Sequence, residues 1–541
     1  MYRVLTICGI GLAVAATGVT ARPMVGHAAS ASPTFAPAFK VDGYTGGTEP
    51  RITVAPNGKR YIASNQPGGM AEIYQSTDGL TWHRTPGTLP GQQMPTIDVD
   101  VVAMHTGRLF ASELDFTGPR FLSGYSDDEG KTWTASTFDG LVDQDRQWFA
   151  VGPDDATTHQ PRVYLLYHNL FSGQGNHNMY VATSTDGGAT FGPPVPTTLP
   201  GSEAFADLQC ADSGGPSNIM VNPTTGRVYA VFGTRTAAEP GGLNLGGCGA
   251  SLPPQTFQFN IVAATKIWVV SSPDGSLGSW TQSAAAGTGT TQKIVGMQLD
   301  PGTIDSAGNI YVTYPESPLA YPNYGQAAVK MSWAPPDLSH WSTPVTVAAG
   351  GPVGHMLVHA IAGKPGKLDL AYFTGVARPG KGPLWYATAA QTLDGLSANP
   401  TFSETRLSEI PTYTLSAAAM MGACTANGVV NGLACNRSTD VFGVALDNNC
   451  QFMVTWPVSG DTSQNDASAA SGGTYATSQV GGPTVCTDGS ATTTAPRPAV
   501  TTTQALPGTS RGPSQGLLLT LFLVGLGLLG GLTVEGRRRF S

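Results

Sequence analysis

The sequence predicts an all-β chain, a β-propeller of four-stranded blades with seven blades favoured over six. Three observations predict it. The 541 residues include 69 glycines and 41 prolines, and only 12% are charged. Both residue types break helix interiors, so this composition suits short strands joined by many turns. A strand–turn–strand segment with alternating apolar residues recurs seven times, at 51–64, 99–112, 148–168, 218–233, 297–315, 356–374 and 441–457. Each reads as a hairpin around a Gly, Asn or Pro turn. A second turn motif follows six of the seven. One hairpin plus one motif gives four strands in about 50 residues, the size of a propeller blade. Residues 35–41 supply a strand that could complete the last blade.

The second motif is Ser-x-Asp-x-Gly-x-Thr-Trp/Phe. It is complete at Ser126-Asp127-Asp128-Glu129-Gly130-Lys131-Thr132-Trp133 and at 184–191, which ends in Phe191. It is one residue shorter at 76–82 and degenerate at 272–280, 332–341 and 388–402. Its chemistry is structural. Asp78, Asp128 and Asp186 can accept N–H groups inside their own turns, the Gly admits positive φ, and the aromatic packs over the hairpin.

The two ends predict an address. Met1-Tyr2-Arg3, an apolar run over 4–19 and the Ala29-x-Ala31 pattern read as a signal peptide over 1–31. Residues 516–534 carry no charge and are followed by an arginine cluster at 537–539. At 1.5 Å per residue such a run spans a bilayer, with the basic tail 535–541 in the cytoplasm. Residues 487–515 are rich in Thr, Pro and Ala and read as a stalk. Leu506-Pro507-Gly508-Thr509-Ser510 is similar to a cell-wall sorting signal, with Ser510 where that signal needs Gly. The expected protein is exported, monomeric and held at the cell surface by one membrane helix, with residues 32–486 forming the propeller. A formal charge of −8 argues against nucleic acid as a partner; an extracellular glycan or an envelope protein is expected instead. No cofactor is expected.

The turn motif is the Asp-box, and residues 40–482 resemble the bacterial sialidase-like (BNR/Asp-box) propeller superfamily. Sialidases of that superfamily have six blades rather than seven. The resemblance implies arginines that hold a carboxylate, a Tyr activated by a Glu, and an acid. Arg51-Ile52, with Gly58 and Tyr61-Ile62-Ala63 after it, is similar to the family's first arginine motif, with Thr53 in place of Pro. Tyr314 and Glu316 form the best Tyr/Glu pair, and Asp98 is the candidate acid. Their other reading is a structural salt bridge for Arg51 and a loop hydrogen bond for the pair.

Propeller topology fixes further expectations. With strands A to D numbered outward from the axis, the long B–C loops share one face with the D–A connections, so the site is expected there, at the axis. The innermost strands begin near Glu49, Asp98, Asp145-Arg146, Asn218, Gln298, His355 and Asp440. Ligand contacts are therefore expected from Glu49, Arg51, Asp145, Arg146, His355 and Asp440, and from Arg235 in a B–C loop. Glu49, Asp98, Asp145 and Asp440 could alternatively gather a cation. His355 and His359 are four apart, about 13 Å on a strand, which does not suit zinc. The six cysteines beyond the signal are expected to pair as Cys210–Cys248, Cys424–Cys435 and Cys450–Cys486.

Overall fold

The computed structural model describes residues 32–41, 48–65, 71–92, 98–115, 120–140, 145–169, 178–210, 216–234, 263–287, 293–295, 301–319, 325–379, 381–412, 429–430, 433–434, 442–458 and 473–487. They form a seven-bladed propeller of antiparallel four-stranded blades. Blade 1 is Thr48–Val54, Arg60–Asn65, Ala71–Ser76 and His83–Arg84. The innermost strands of blades 2 to 7 are Val99–Ala103, Asp145–Asp154, Pro216–Val221, Gly302–Ile304, His355–Ala362 and Gly443–Leu446. All seven hairpins read from the sequence are present as the A–B pairs of these blades.

The ring closes as the sequence suggests. Blade 7 takes its outer strand from the other end of the chain: Thr34–Phe35 and Phe39–Lys40 both pair with Gly473–Gly481. The segment after that strand then crosses to blade 6, where Val485 is fully buried and its carbonyl accepts the Lys364 N–H at 2.9 Å.

Stability comes from the seams. Apolar faces of neighbouring blades meet in clusters such as Tyr61, Ile73, Val99 and Val101, or Ile267, Val269, Ile310 and Val312. Fully buried rings, including Tyr61, Tyr164, Tyr229 and Tyr311, remove large apolar areas from water. Near the axis, side chains staple one inner strand to the next. Thr53 Oγ1 accepts the Ala103 N–H, Asn218 Nδ2 donates to the Gly302 carbonyl, Thr303 Oγ1 accepts the Ala362 N–H and His359 Nδ1 donates to the Phe442 carbonyl.

The A–B turns repeat one geometry. Each places a left-handed residue before its second strand: Gly58, Gly107, His159, Gly226, Gly308, Gly366 and Cys450. In blade 7 that position, with φ 58°, holds a cysteine bonded to Cys486. This pair was expected from the strand assignment. Cys248, Cys424 and Cys435, and the side chain of Cys210, lie outside the described residues.

Among the described residues one helix, Glu203–Cys210, interrupts the β architecture between blades 3 and 4. Ser202 caps it, its Oγ accepting the Phe205 N–H at 3.2 Å. Lys266 clamps it to blade 4 through Glu203 (2.6 Å) and Asp207 (3.1 Å). Among the described residues no helix is long and apolar enough to cross a membrane. The expected signal peptide, most of the stalk, the membrane segment and the basic tail fall outside the described residues.

Candidate functional site

The inner strands of blades 1, 3 and 6 each carry a β-bulge, seen as register shifts between Thr48 and Arg51, Asp145 and Trp148, and Met356 and His359. At each bulge one non-glycine residue is left-handed: Glu49 (φ 50°), Arg146 (51°) and Leu357 (59°). That conformation costs roughly 1–2 kcal/mol in an L-residue, and bulges of this kind re-aim the side chains around them. Two residues beyond each bulge position stand Arg51, Trp148 and His359. All three line one axial cavity of about 160 Å³, together with Asp100 and Asn218.

Above this cavity, one strand step toward the D–A connections, lies a buried ion cluster. Arg146 sends Nη2 to 3.8 Å from Glu49 Oε1 and Nη1 to 3.8 Å from Asp98 Oδ1. The three residues are 2–4% exposed. Gln147 Nε2 donates to the Asp98 carbonyl at 3.0 Å and so ties blade 3 to blade 2. Below the cluster, the Arg51 guanidinium lies 3.9 Å from the Trp148 ring centre, a cation–π contact between blades 1 and 3. Glu113, also buried, accepts Gln92 Nε2 at 2.7 Å.

Exposure along the inner strands shows where the cavity opens. Residues 49–52, 98–99, 146–149 and 355–358 are buried, whereas 53–54, 102–103, 150–151 and 361–362 are half-exposed. Among the described residues the inner strands are thus buried at their starts and half-exposed toward the A–B turns. The sequence places the mouth at the opposite end. The structure gathers Glu49, Asp98 and Arg146 at that end, where all three are buried; most of the long B–C loops expected to frame the mouth there fall outside the described residues.

The remaining candidates are dispersed. Tyr314 sits on the second strand of blade 5, 3% exposed, in the apolar seam with Tyr229, Ile294 and Leu338. Burial, and then the charge of Glu316, push its hydroxyl well above the usual tyrosine range. A hydroxyl held that firmly is the reverse of an activated nucleophile. Glu316 ends the same strand, paired with Ile294 and Ala328. His355 is buried in blade 6; Nε2 donates to the Ala349 carbonyl (2.7 Å) and Nδ1 accepts from Thr374 Oγ1 (3.2 Å). Burial lowers its pKa. Asp145 pairs through its backbone with His168; its side chain, Arg235 and Asp440 lie outside the described residues. Asp100, Trp148, Asn218 and His359 line the cavity without having been singled out as ligand contacts. The available signal was their place on the inner strands: Asp100 and Trp148 two residues after Asp98 and Arg146, Asn218 two and His359 four after their strand starts.

The Asp-box carboxylates do the work expected of them. Asp78 accepts the Leu80 and Thr81 N–H groups at 2.8 Å each, and Asp128 and Asp186 accept those of Thr132 and Thr190 at 2.8 Å. The Thr132 N–H, then its hydroxyl, hold the Asp128 carboxyl down at about 2. Trp82 and Phe191 close their boxes at 2% and 3% exposure.

No family model matches the chain, and no curated protein matches it. Among solved structures it is similar to a PL25 ulvan lyase bound to -[GlcA(1-4)Rha3S]-, with TM-score 0.47 and 10% identity over 83% of this chain and 96% of that one. It is also similar to the NanB sialidase from Streptococcus pneumoniae (TM-score 0.39, 10% identity, 82% and 70% covered). A third is the Aleuria aurantia lectin with α-methyl-L-fucoside (TM-score 0.36, 10% identity, 68% and 97% covered). Likeness at this level says nothing of what the present chain binds or does; its fold rests on its own strand pairing.

Proposed function

We propose that this protein is an exported propeller that binds an extracellular glycan in its axial cavity, tethered to the cell surface by its C-terminal segment. One observation carries the reading: Arg51, Asp100, Trp148, Asn218 and His359 converge from five blades on one open cavity of about 160 Å³. A space near 150 Å³ elsewhere accepts a single ring-sized molecule. Polar groups converging from several blades suit a hydroxyl-rich ring, whose edge offers donors and acceptors all round.

Binding is favoured over cleavage. Glycoside hydrolysis needs an acid and a second carboxylate on either side of a bound sugar. Here Glu49 and Asp98 both turn to Arg146 and are buried away from the cavity opening. The test is a glycan array and a fluorogenic sialoside, applied to the wild type and to Arg51→Ala. The expected result is retention of a glycan without turnover, lost in the variant. Turnover that disappears with Arg51→Ala would replace this reading with a hydrolase.

A further inference from the structure

The chain leaves the propeller over a short strap. Beyond the strand Gly473–Gly481 of blade 7, residues 483–487 cross to the A–B turns of blades 6 and 7. The Pro483 carbonyl accepts Gln479 Nε2 at 2.7 Å and Gln391 Nε2 at 3.1 Å. The Val485 carbonyl accepts the Lys364 N–H at 2.9 Å, and Lys367 Nζ donates to the Thr487 carbonyl. Val485 is fully buried, whereas Pro483, Thr484, Cys486 and Thr487 are half-exposed. A Cβ at Gly363 would lie 2.5 Å from the Val485 carbonyl oxygen, so the seat on blade 6 is shaped to the strap. Cys486 is bonded to Cys450 in the A–B turn of blade 7, and both cysteines are half-exposed.

We propose that this strap is a redox-sensitive latch: an external dithiol that reduces Cys450–Cys486 frees residues 483–487 from blade 6 while the propeller stays folded. The proposal is independent of the glycan reading. Without the disulfide, one buried apolar side chain and a few hydrogen bonds hold the strap. Against them stands the backbone entropy of the segment, which per residue costs about what one hydrogen bond returns. The disulfide offsets that cost by confining the strap beside its seat, closing a loop of sequence separation 36. Phe452–Val458 and Gly473–Gly481 both lie inside that loop, but their own ladder pairs them, so it persists when the bond is cut. In the reduction, one thiolate of the dithiol attacks one sulfur of the pair, and the other leaves as a thiolate and takes a proton. The second thiol then displaces the remaining cysteine from the mixed disulfide. Two electrons reach the cystine, and the dithiol ends as its own disulfide. The point where the chain departs shifts from the A–B turns back to the end of the Gly473–Gly481 strand.

The test is amide hydrogen exchange on the purified full-length protein, before and after dithiothreitol, with the state of Cys450 and Cys486 read by mass spectrometry. The expected result is a rise of about tenfold or more in exchange at Lys364, whose N–H is bonded to the strap. Amides in the ladder between Phe452–Val458 and Gly473–Gly481 should keep their protection. A protein carrying Cys450→Ser and Cys486→Ser should show fast Lys364 exchange without reductant and no further rise with it, which separates this pair from the other cysteines. A pair that dithiothreitol leaves intact in the folded protein overturns the latch, because the bond is then out of reach. Unchanged Lys364 exchange after reduction also overturns it, because the other contacts then suffice. Loss of protection throughout blade 7 overturns it too, since the bond would then support the ring rather than the strap. A further rise with reductant in the serine protein has the same force.

Discussion

Blades 1 to 3 and blades 4 to 7 share one scaffold and differ at the axis. The first group carries Glu49, Arg51, Asp98, Asp100, Arg146 and Trp148 on or beside its inner strands; the second offers Asn218, Thr303, His359 and Gly443 in the corresponding place. Hydrogen-bond staples near the axis occur in both halves, through Thr53 in one and Thr303 in the other. What is common to the two halves holds the ring together. What differs is charge, and in a repeat protein departures from the repeat are where a specific role can reside, since the shared features already account for folding.

The comparison can be broken at its strongest point first. Arg146→Met leaves Glu49 and Asp98 buried without their shared cation and should cost about 3–5 kcal/mol, read as a lower urea midpoint. A loss under about 1 kcal/mol would mean that the charged half is no more demanding than the neutral one.

The second half has a buried charge of its own. Asp369 in blade 6 is 1% exposed, with Oδ1 accepting Gln391 Nε2 at 2.8 Å and Oδ2 without a hydrogen-bond donor. Burial raises its pKa to about 7. A carboxyl whose folded pKa lies above its unfolded value near 3.9 favours the fold when protonated, so stability falls as pH rises from about 4 to about 7. Asp369→Asn should flatten that slope, raising Tm at pH 8 by the equivalent of up to about 4 kcal/mol and leaving it unchanged near pH 4. An identical pH profile in the variant would remove Asp369 as the cause.

Stability without function should be separable at blade 7. Replacing Cys450 and Cys486 by serine opens a loop of sequence separation 36 and should cost about 3–4 kcal/mol while leaving glycan retention by the folded protein intact. Loss of binding in the still-folded variant would tie the closure blade to the axis. The smallest effect is also the sharpest control: Thr53→Val and Thr303→Val each remove one inter-blade acceptor and should cost about 1 kcal/mol alike in thermal unfolding. Unequal losses would show that the two halves differ in scaffold as well as in charge.

Much of the fold was legible because its signals are local. Alternation of period two marked the hairpins, and Asp78, Asp128 and Asp186 marked turns whose hydrogen bonds close within five residues. Blade closure by residues 35–41 followed from counting strands. The helix over Glu203–Cys210 was overlooked although Ser202-Glu203 carries a capping signal, since about two helical turns are easily lost in a β-rich sequence. The trio Glu49, Asp98 and Arg146 was legible because each begins an inner strand. What was hidden is the bulge. Nothing in Glu49 or Arg146 announces a left-handed backbone, yet that conformation re-aims their strands and sets Arg51 and Trp148, two residues on, at the cavity. Tyr314 and Glu316 misled for a related reason. Residues two apart share a strand face, but whether that face meets solvent or a neighbouring blade is settled only by long-range packing.

The composite seventh blade has one more consequence. Thr34 pairs with Gly481, and the Cβ position of Gly482 lies 2.7 Å from the Ser32 carbonyl, so the ring is entered and left at the same spot. The propeller is therefore topologically indifferent to where its polypeptide starts. A circular permutant that fuses residue 487 to residue 32 and opens at Gly107, whose Cβ position meets nothing within 4 Å, would make every blade contiguous in sequence except the one that is cut. The seam would move from blade 7 to blade 2, beside Asp98 and Asp100, so the order of the chain could be rewritten while the wall of the cavity stayed where it is.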